Sequence, residues 1–169
     1  MSNFGHKIDG GKSTGRSGEN RREKIIVDYS KDKVLRSFYR KFMIRFYLKI
    51  VKEAGIRVLY EVVSTRLTGR KRRLQLPPRH RGGLVRIVHD AVEEMVAYDL
   101  DYVVDELESR HRGKWVLIGD AAIKPGKGVC RHHGLIVSAV LERLIQDGYL
   151  HGWVFYRRAR GHGWAEYRD

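Results

Sequence analysis

The chain of 169 residues has the length of one domain. Hydrophobic residues make up 42% of it and charged residues 32%, which is enough apolar material for a globular core and excludes wholesale disorder. No apolar run approaches the roughly 18 residues that cross a bilayer, and the polar start lacks the apolar centre of a signal peptide. We therefore expect a soluble, cytoplasmic protein without a transmembrane segment. The single cysteine, Cys130, cannot form an internal disulfide, so it is either inert or a nucleophile.

Positive charge is concentrated in the middle of the chain. The formal net charge is +14, and residues 21–81 hold 19 basic against 5 acidic side chains, whereas residues 82–169 hold 12 against 13. This asymmetry predicts attraction of the middle segment to an anionic partner: nucleic acid, an acidic protein or an anionic membrane surface. A solvated helix face without a partner explains the same charges.

The basic half is predicted to be helical after a disordered start. Residues 1–22 are rich in glycine, serine, lysine and arginine, which predicts a disordered tail. From Ser30, a suitable N-cap, apolar residues recur in four-residue steps and predict a helix over residues 31–54. These apolar residues are Val34, Phe38, Phe42, Phe46 and Ile50. A second helical pattern covers residues 56–67.

A basic cluster and an acidic helix are predicted next. The basic cluster consists of Arg70, Lys71, Arg72 and Arg73. It leads into Pro77-Pro78 and Gly82-Gly83, a sequence typical of an exposed loop, and its four side chains are the anion-binding candidates. Residues 84–108 then show helical apolar spacing with six acids between Glu93 and Glu106, which predicts an acidic amphipathic helix. If that helix neutralises the basic helix, the case for nucleic acid is weaker.

Cys130 is expected at the start of a new helix. Glycines and a proline break the chain just ahead of it, and the apolar spacing that follows predicts a helix ended by Asp147-Gly148. At a helix N-terminus the dipole and the free backbone N–H groups favour a thiolate, and the same amides can cradle an oxyanion.

A β-hairpin is predicted after this helix. Residues 150–156 and 163–167 are aromatic and β-branched runs joined by a basic turn. The hairpin is expected to bring His162, at the start of its second strand, back towards the helix start. An imidazole beside a thiol takes the thiol proton and later protonates the leaving group, which is what a thiol enzyme needs.

Two motifs in this segment resemble the transglutaminase-like superfamily. They are Lys127-Gly128-Val129-Cys130-Arg131-His132, followed by a small-residue amphipathic helix, and His162-Gly163-Trp164-Ala165-Glu166-Tyr167. The resemblance covers about 43 residues, a quarter of the chain, with both motifs in the family's order. It implies that Cys130 is the nucleophile and His162 the base.

The expected fold is α+β, with a helical basic region over residues 23–110 and a transglutaminase-like core over residues 111–169. In that core the helix of Cys130 packs on the hairpin that carries His162. The resemblance implies acyl transfer on an amide bond of a protein or peptide, with hydrolysis favoured over crosslinking, and it implies no cofactor. The competing hypothesis is a non-enzymatic module that binds nucleic acid or an acidic partner through residues 31–81.

Three further residues are candidates for the cleft. Trp115 offers an indole N–H as an oxyanion donor, His132 is a cleft-lining candidate, and Trp164 follows the family motif as a packing residue beneath the hairpin. His132, His133 and His151 also suggest metal binding. Because neighbouring helical positions point about 100° apart, they cannot easily share one ion with Cys130, and no metal site is predicted.

The third residue of a catalytic trio is missing from the pattern. Family members carry it, usually Asp, on the strand after the histidine strand, and this chain stops at Asp169. A continuous strand would place Asp169 roughly 23 Å and Glu166 about 13 Å from His162. The sequence therefore predicts a core truncated at its C-terminus and a Cys–His pair without its orienting carboxylate. Activity is expected to be weak or absent and to be rescued by a longer chain that adds one more strand.

Overall fold

The computed structural model describes residues 6–14, 20–54, 78–111, 114–159 and 162–169. Helices and short sheets are mixed in it, which agrees with the predicted α+β class. In chain order the regular elements are strands β1 (His6–Thr14) and β2 (Asn20–Val27), helices α1 (Lys33–Ala54) and α2 (Pro78–Met95), strand β3 (Ala97–Tyr98), helix α3 (Glu108–His111), strands β4 (Trp115–Leu117) and β5 (Lys127–Gly128), helix α4 (Cys130–Gln146), and strands β6 (Trp153–Ala159) and β7 (His162–Arg168). Two π-helical stretches cover Tyr102–Leu107 and Gly119–Ile123.

The first sheet has three strands in the order β1-β2-β4. β1 and β2 pair antiparallel, from His6 opposite Val27 to Thr14 opposite Asn20, and β4 pairs parallel to β2. The structure thus differs from the disordered tail predicted for residues 1–22, which includes all of β1. Hydrogen bonds between the backbone N–H and C=O groups of β1 and β2 order this segment, whereas its polar composition predicts disorder.

Helix α1 begins at an aspartate cap. Asp32, only 1% exposed, accepts a hydrogen bond from the Leu35 backbone N–H at 2.9 Å through Oδ1. Its Oδ2 accepts the Gly119 backbone N–H at 2.7 Å. This bond joins the start of α1 to the segment that follows β4. The predicted helix over residues 31–54 is confirmed, but Ser30 is not its cap. The Ser30 hydroxyl instead donates to Asp28 Oδ1 at 2.6 Å, because Asp32 supplies the carboxylate that the first helical amides require.

Helix α2 starts earlier than the sequence predicts. Its first residue is Pro78, whose fixed φ suits the first position of a helix. The prediction that Gly82-Gly83 belongs to an exposed loop is therefore wrong, since both glycines lie inside α2.

The predicted acidic helix over residues 84–108 is interrupted after α2. The Ala97 backbone N–H donates to the Gly126 carbonyl at 2.8 Å, and the Asp99 N–H donates to the Gly128 carbonyl at 2.7 Å. These bonds form the short parallel pair of β3 and β5, and they take the backbone out of a helical conformation. The prediction of one continuous helix is wrong because distant backbone groups supply this pairing.

One hydrophobic cluster lies at the centre of the molecule. It combines buried side chains of β2, α1, α2, α4 and β6, among them Ile25, Phe42, Val92, Leu141 and Val154. The regions predicted as residues 23–110 and 111–169 share this core. A smaller cluster joins Tyr102 and Leu107 to Ala121 and Val129, the residue directly before Cys130.

The C-terminal end of α4 is held against α1. The Tyr39 hydroxyl donates to Asp147 Oδ2 at 2.8 Å, and Arg143 forms an ion pair with Asp147 Oδ1 at 2.7 Å. Burial, reinforced by the Asp147 carboxylate, raises the pKa of Tyr39 far above its usual value, so the phenol stays a donor. The predicted helix end at Asp147-Gly148 is confirmed, and Gly148 has the positive φ of +84° that favours glycine after a helix.

Two predictions lie outside the described residues: the helix over residues 56–67, and the basic cluster of Arg70, Lys71, Arg72 and Arg73. Among the helices that the structure does describe, none combines the length and the apolar character needed to span a membrane.

Replacing the shared cap of α1 should destabilise the whole fold. The Asp32→Ala variant leaves the buried amides of Leu35 and Gly119 without their acceptor, so we expect the free energy of unfolding to fall by about 2–4 kcal/mol. Urea denaturation measures this change. The exposed carboxylate of Asp120 provides the control, and Asp120→Ala should change stability by less than about 0.5 kcal/mol. Equal effects of the two substitutions would contradict the assigned role of Asp32.

Candidate active site

Cys130 is the first residue of α4, as the sequence predicts. The preceding residue, Val129, is extended (φ −129°, ψ 177°), and its carbonyl accepts the His132 backbone N–H at 2.8 Å. The Val129 N–H in turn donates to His132 Nδ1 at 3.1 Å. Cys130 lies at the N-terminus of a 17-residue helix, which is the positive end of the helix dipole. The residue is half-buried, so part of it remains accessible from solvent.

His132 differs from its predicted position in the cleft. It is fully buried at 0% exposure, and its ring fixes the backbone at the start of α4 through the bond from Val129. The role that the structure gives it is therefore to shape the turn before Cys130, not to line an open cleft.

The predicted hairpin is confirmed as the antiparallel pair of β6 and β7, with Trp153 opposite Arg168 and Ala159 opposite His162. Successive side chains of a strand alternate between the two faces of the sheet. The inward face of β7 carries Gly163, Ala165 and Tyr167, and the latter two pack against the main core cluster.

The hairpin contacts the first two turns of α4 through glycines. A Cβ atom at Gly163 would lie 3.1 Å from the Cα of Arg131, and a Cβ atom at Gly134 would lie 2.9 Å from the Cα of Trp164. The distance at Gly134 is shorter than real Cβ contacts and the distance at Gly163 is tighter than most of them, so the strand backbone packs closely on the helix. His162 and Cys130 are the residues directly before Gly163 and Arg131, which form the first of these contacts.

The His162 side chain lies on the outward face of the hairpin. It is exposed and stacks on Trp164 with ring centroids 5.7 Å apart and an interplanar angle of 19°. Trp164 is 38% exposed and is not packed beneath the hairpin, where the motif places it. In the described structure no hydrogen bond joins the His162 ring to the Cys130 thiol. The backbone contact thus joins Gly163 to Arg131, and the described structure shows no contact between the side chains of His162 and Cys130.

Glu166 does not orient His162. It shares the outward face, but its carboxylate is held by Arg157 at 2.7 Å and also by Arg168. The hydrogen bonds from Arg157 and then Arg168 lower the pKa of Glu166, so it is ionised and engaged within the hairpin. This agrees with the expectation that the nearest carboxylate cannot serve as the third catalytic residue.

Two site predictions remain, Trp115 and the basic cluster. Trp115 lies in β4, opposite Lys24 of β2, and no hydrogen bond joins its indole to Cys130 in the part of the chain that the structure describes. The four residues of the basic cluster lie outside the described ranges. The indole of Trp115 as an oxyanion donor therefore has no geometric support here.

His133, one of the three histidines that suggest metal binding in the sequence, lies in the first turn of α4. Its ring forms a hydrogen bond with the Val96 backbone, and its Nε2 atom is buried without a partner. Burial lowers the pKa of His133, so the neutral imidazole is favoured.

Comparisons with protein-family models, with curated proteins and with solved structures find no match to this chain. The resemblance to the transglutaminase-like superfamily therefore rests on the two motifs around Cys130 and His162 alone. Any function has to be argued from the geometry of the site.

The glycine contact between α4 and β7 can be tested by adding one methyl group. In Gly134→Ala the new Cβ collides with the Trp164 backbone, so we expect a loss of about 1–3 kcal/mol in unfolding free energy. Gly83→Ala is the control, because Gly83 is helical and a Cβ atom there would meet no other atom within 4 Å; it should stabilise the protein by about 0.5–1 kcal/mol. Two changes of the same sign in thermal or urea denaturation would contradict the packing described here.

Proposed function

We propose that the protein is a thiol acyl-transfer enzyme of the transglutaminase-like type, with Cys130 as nucleophile and His162 as base. The observation that supports this most directly is the contact of Gly163 with Arg131, because it holds the histidine strand across the first turn of the cysteine helix. The position of Cys130 at the N-terminus of α4 supports the proposal independently.

The reaction follows from these two side chains. The Cys130 sulfur gives up its proton to the imidazole of His162 and attacks the carbonyl carbon of a protein or peptide amide. Backbone N–H groups at the start of α4 face the oxyanion that develops. His162 then protonates the departing amine, which leaves a thioester on Cys130. Water or another amine resolves the thioester, and hydrolysis is the favoured outcome. The scheme uses no cofactor.

One side-chain movement is part of this proposal. The His162 ring has to leave its stack on Trp164 and turn around the edge of the hairpin towards Cys130. Catalytic hydrogen bonds often tighten only when substrate is bound, so such a turn is compatible with the mechanism. With Glu166 held by two arginines, no carboxylate among the described residues fixes the orientation of the imidazole, and we expect weak activity from this chain.

Alkylation of Cys130 by iodoacetamide across pH tests the proposed pair. A thiolate stabilised by the helix and by His162 should react rapidly well below pH 8, and His162→Ala should shift the rate profile towards that of a free thiol. His111→Ala is the matched control, since His111 lies at the end of α3, and it should leave the profile unchanged. The labelled site is read directly by mass spectrometry, because the chain has one cysteine.

Two results would sink the enzyme proposal. One is a Cys130 that does not react in the folded protein at any pH below 8. The other is a reactive Cys130 with the same pH profile in wild type, His162→Ala and His111→Ala, which would leave Cys130 without a base.

A second candidate function rests on the outer face of α1. Arg40, Lys41 and Lys49 are exposed, and none of them has an ion pair in the described part of the chain. Two other basic residues of α1 are engaged internally: Arg36 donates to the Tyr29 carbonyl at 3.1 Å, and Arg45 pairs with Glu94 at 2.9 Å. Arg40, Lys41 and Lys49 are the residues through which a nucleic-acid-binding module would contact phosphates. In such a module the thiol core would be vestigial.

Binding of random-sequence DNA at several salt concentrations separates the two functions. If the module hypothesis is correct, affinity is high at low salt, falls steeply with rising salt and is unaltered by Cys130→Ala. Replacing Arg40, Lys41 and Lys49 together by Gln should lower the affinity and flatten the salt dependence by about three units of slope. The same replacement of Arg86, Lys114 and Lys124, which are exposed elsewhere, is the control. No binding at low salt would eliminate the module hypothesis.

A further inference from the structure

The outward face of the hairpin combines aromatic rings with arginines. Alternation along β6 and β7, together with their antiparallel register, places Trp153, Phe155 and Trp164 on this face with Arg157 and Arg168. The opposite face of the hairpin packs on the main core cluster. Among the outward residues of these two strands, none is Leu, Ile, Val or Met. The apolar area of the face is therefore supplied almost entirely by flat rings.

Two tryptophans of this face are open to solvent. Trp153 is 63% exposed and Trp164 is 38% exposed. A tryptophan ring carries a large apolar area and is highly buried on average, so two exposed indoles on one small hairpin are unusual for a surface without a partner. Exposed apolar area gathered in one place is typical of a binding surface.

The three aromatic residues follow a diagonal line across the hairpin. Phe155 is two residues after Trp153 on the same face, which puts their Cα atoms about 7 Å apart. Phe155 lies opposite Glu166, and Trp164 is the next outward residue of β7. This makes Trp164 a diagonal neighbour of Phe155, about 7–8 Å away. The two indoles therefore lie on either side of the phenylalanine.

Positive charge lies between the two indoles. The guanidinium groups of Arg157 and Arg168 lie 4.9 and 5.5 Å from the centroid of the Phe155 ring. Both arginines donate through Nε to the Glu166 carboxylate, Arg157 at 2.7 Å. Because two cations share one anion, the centre of the face keeps a positive charge. The other N–H donors of a guanidinium suit phosphate oxygens.

We propose that this face binds single-stranded nucleic acid, with bases stacked on Trp153 and Trp164 and phosphates held by Arg157 and Arg168. Aromatic rings beside a basic track are the means by which proteins bind single strands without reading their sequence. Stacking on a protein ring requires bases that are splayed out, and a duplex does not offer them. The formal net charge of +14 adds a long-range attraction for a polyanion.

Charge and composition disfavour the other occupants of such a face. A second copy of the chain would bring the same charge of +14 and be repelled. A neutral ligand would gain nothing from the two arginines. The face lacks the aliphatic side chains that accompany aromatic residues in a membrane-inserting surface. The proposal requires neither the thiol of Cys130 nor the cations of α1, so it stands or falls separately from both functions considered above.

Fluorescence anisotropy of labelled oligothymidine and oligouridine, each of about 12 nucleotides, tests the proposal on the full chain. Wild type should bind both at low salt. Trp153→Ala and Trp164→Ala should each weaken binding by about 5- to 100-fold, because each removes one stacking ring, and Trp153→Phe should retain most of the affinity. Trp115→Ala is the matched control: its indole is 39% exposed but belongs to β4, and its loss should leave the affinity unchanged.

A duplex of the same length separates this face from the cations of α1. The two hairpin variants should bind the duplex as wild type does, since they lose only base stacking. Joint replacement of Arg40, Lys41 and Lys49 by Gln would instead weaken single strand and duplex alike if α1 carries the binding.

Three outcomes would overturn the assignment. The first is no binding of either single strand at low salt. The second is a single-strand affinity that Trp153→Ala and Trp164→Ala leave unchanged, or that Trp115→Ala lowers equally. The third is co-sedimentation with phosphatidylserine vesicles that Trp153→Ala abolishes while oligonucleotide binding is unaltered, which would make this a membrane-binding face. If Trp164→Ala does not fold, the more exposed Trp153, replaced by Ala and by Phe, decides the question.

Discussion

The close approach of β7 to the first turns of α4 is the constraint on which the candidate site depends. A helix and a strand normally keep the distance that two side chains impose, but Gly134 and Gly163 remove a side chain from each surface. The strand backbone then packs against the helix where Gly163 meets Arg131 and where Trp164 meets Gly134. A larger residue at either glycine would push the histidine strand away from the cysteine helix. The lack of a side chain at both positions therefore sets the distance between the strand of His162 and the helix of Cys130.

A second constraint holds the rest of the molecule around this contact. The Asp32 carboxylate receives amides from α1 and from the segment that follows β4, and a Cβ at Gly119 would collide with Asp32 Oδ1. α1 and α4 contribute to one hydrophobic cluster, and the hydrogen bond of Tyr39 to Asp147 joins α1 to the C-terminal end of α4. The regions that differ in charge therefore fold as one core.

Local signals explain why much of the C-terminal region could be predicted. The glycines before Cys130 break the chain, Asp147-Gly148 ends the helix, and alternating aromatic and β-branched residues mark both strands of the hairpin. Each of these signals depends only on neighbouring residues. The helix start at Cys130 and the existence of the hairpin follow from them, although the two strands continue to Ala159 and from His162, through part of the predicted turn.

The missed features depend on groups that are distant in sequence. The bonds from Ala97 and Asp99 to Gly126 and Gly128 interrupt a segment whose own pattern is helical throughout. The choice of Asp32 over Ser30 as cap reflects its second hydrogen bond, to Gly119. The outward direction of His162 follows from strand alternation once Gly163 is assigned to the inner face, but that assignment requires the contact with Arg131.

The most direct test of the central claim is a disulfide measurement in the His162→Cys variant. Because the wild-type chain has one cysteine, thiol titration and mass spectrometry report the new bond without ambiguity. If β7 lies across the first turn of α4 and residue 162 can turn around the edge of the hairpin towards Cys130, as the proposed chemistry requires, mild oxidation should join Cys130 to the introduced thiol within the folded monomer, since a disulfide needs Cα atoms about 4.4–6.8 Å apart and Cβ atoms that point towards each other. Trp153→Cys, at the opposite end of the hairpin and roughly 20 Å along the strand, should stay reduced under the same conditions. A folded His162→Cys protein that keeps two free thiols would contradict the account.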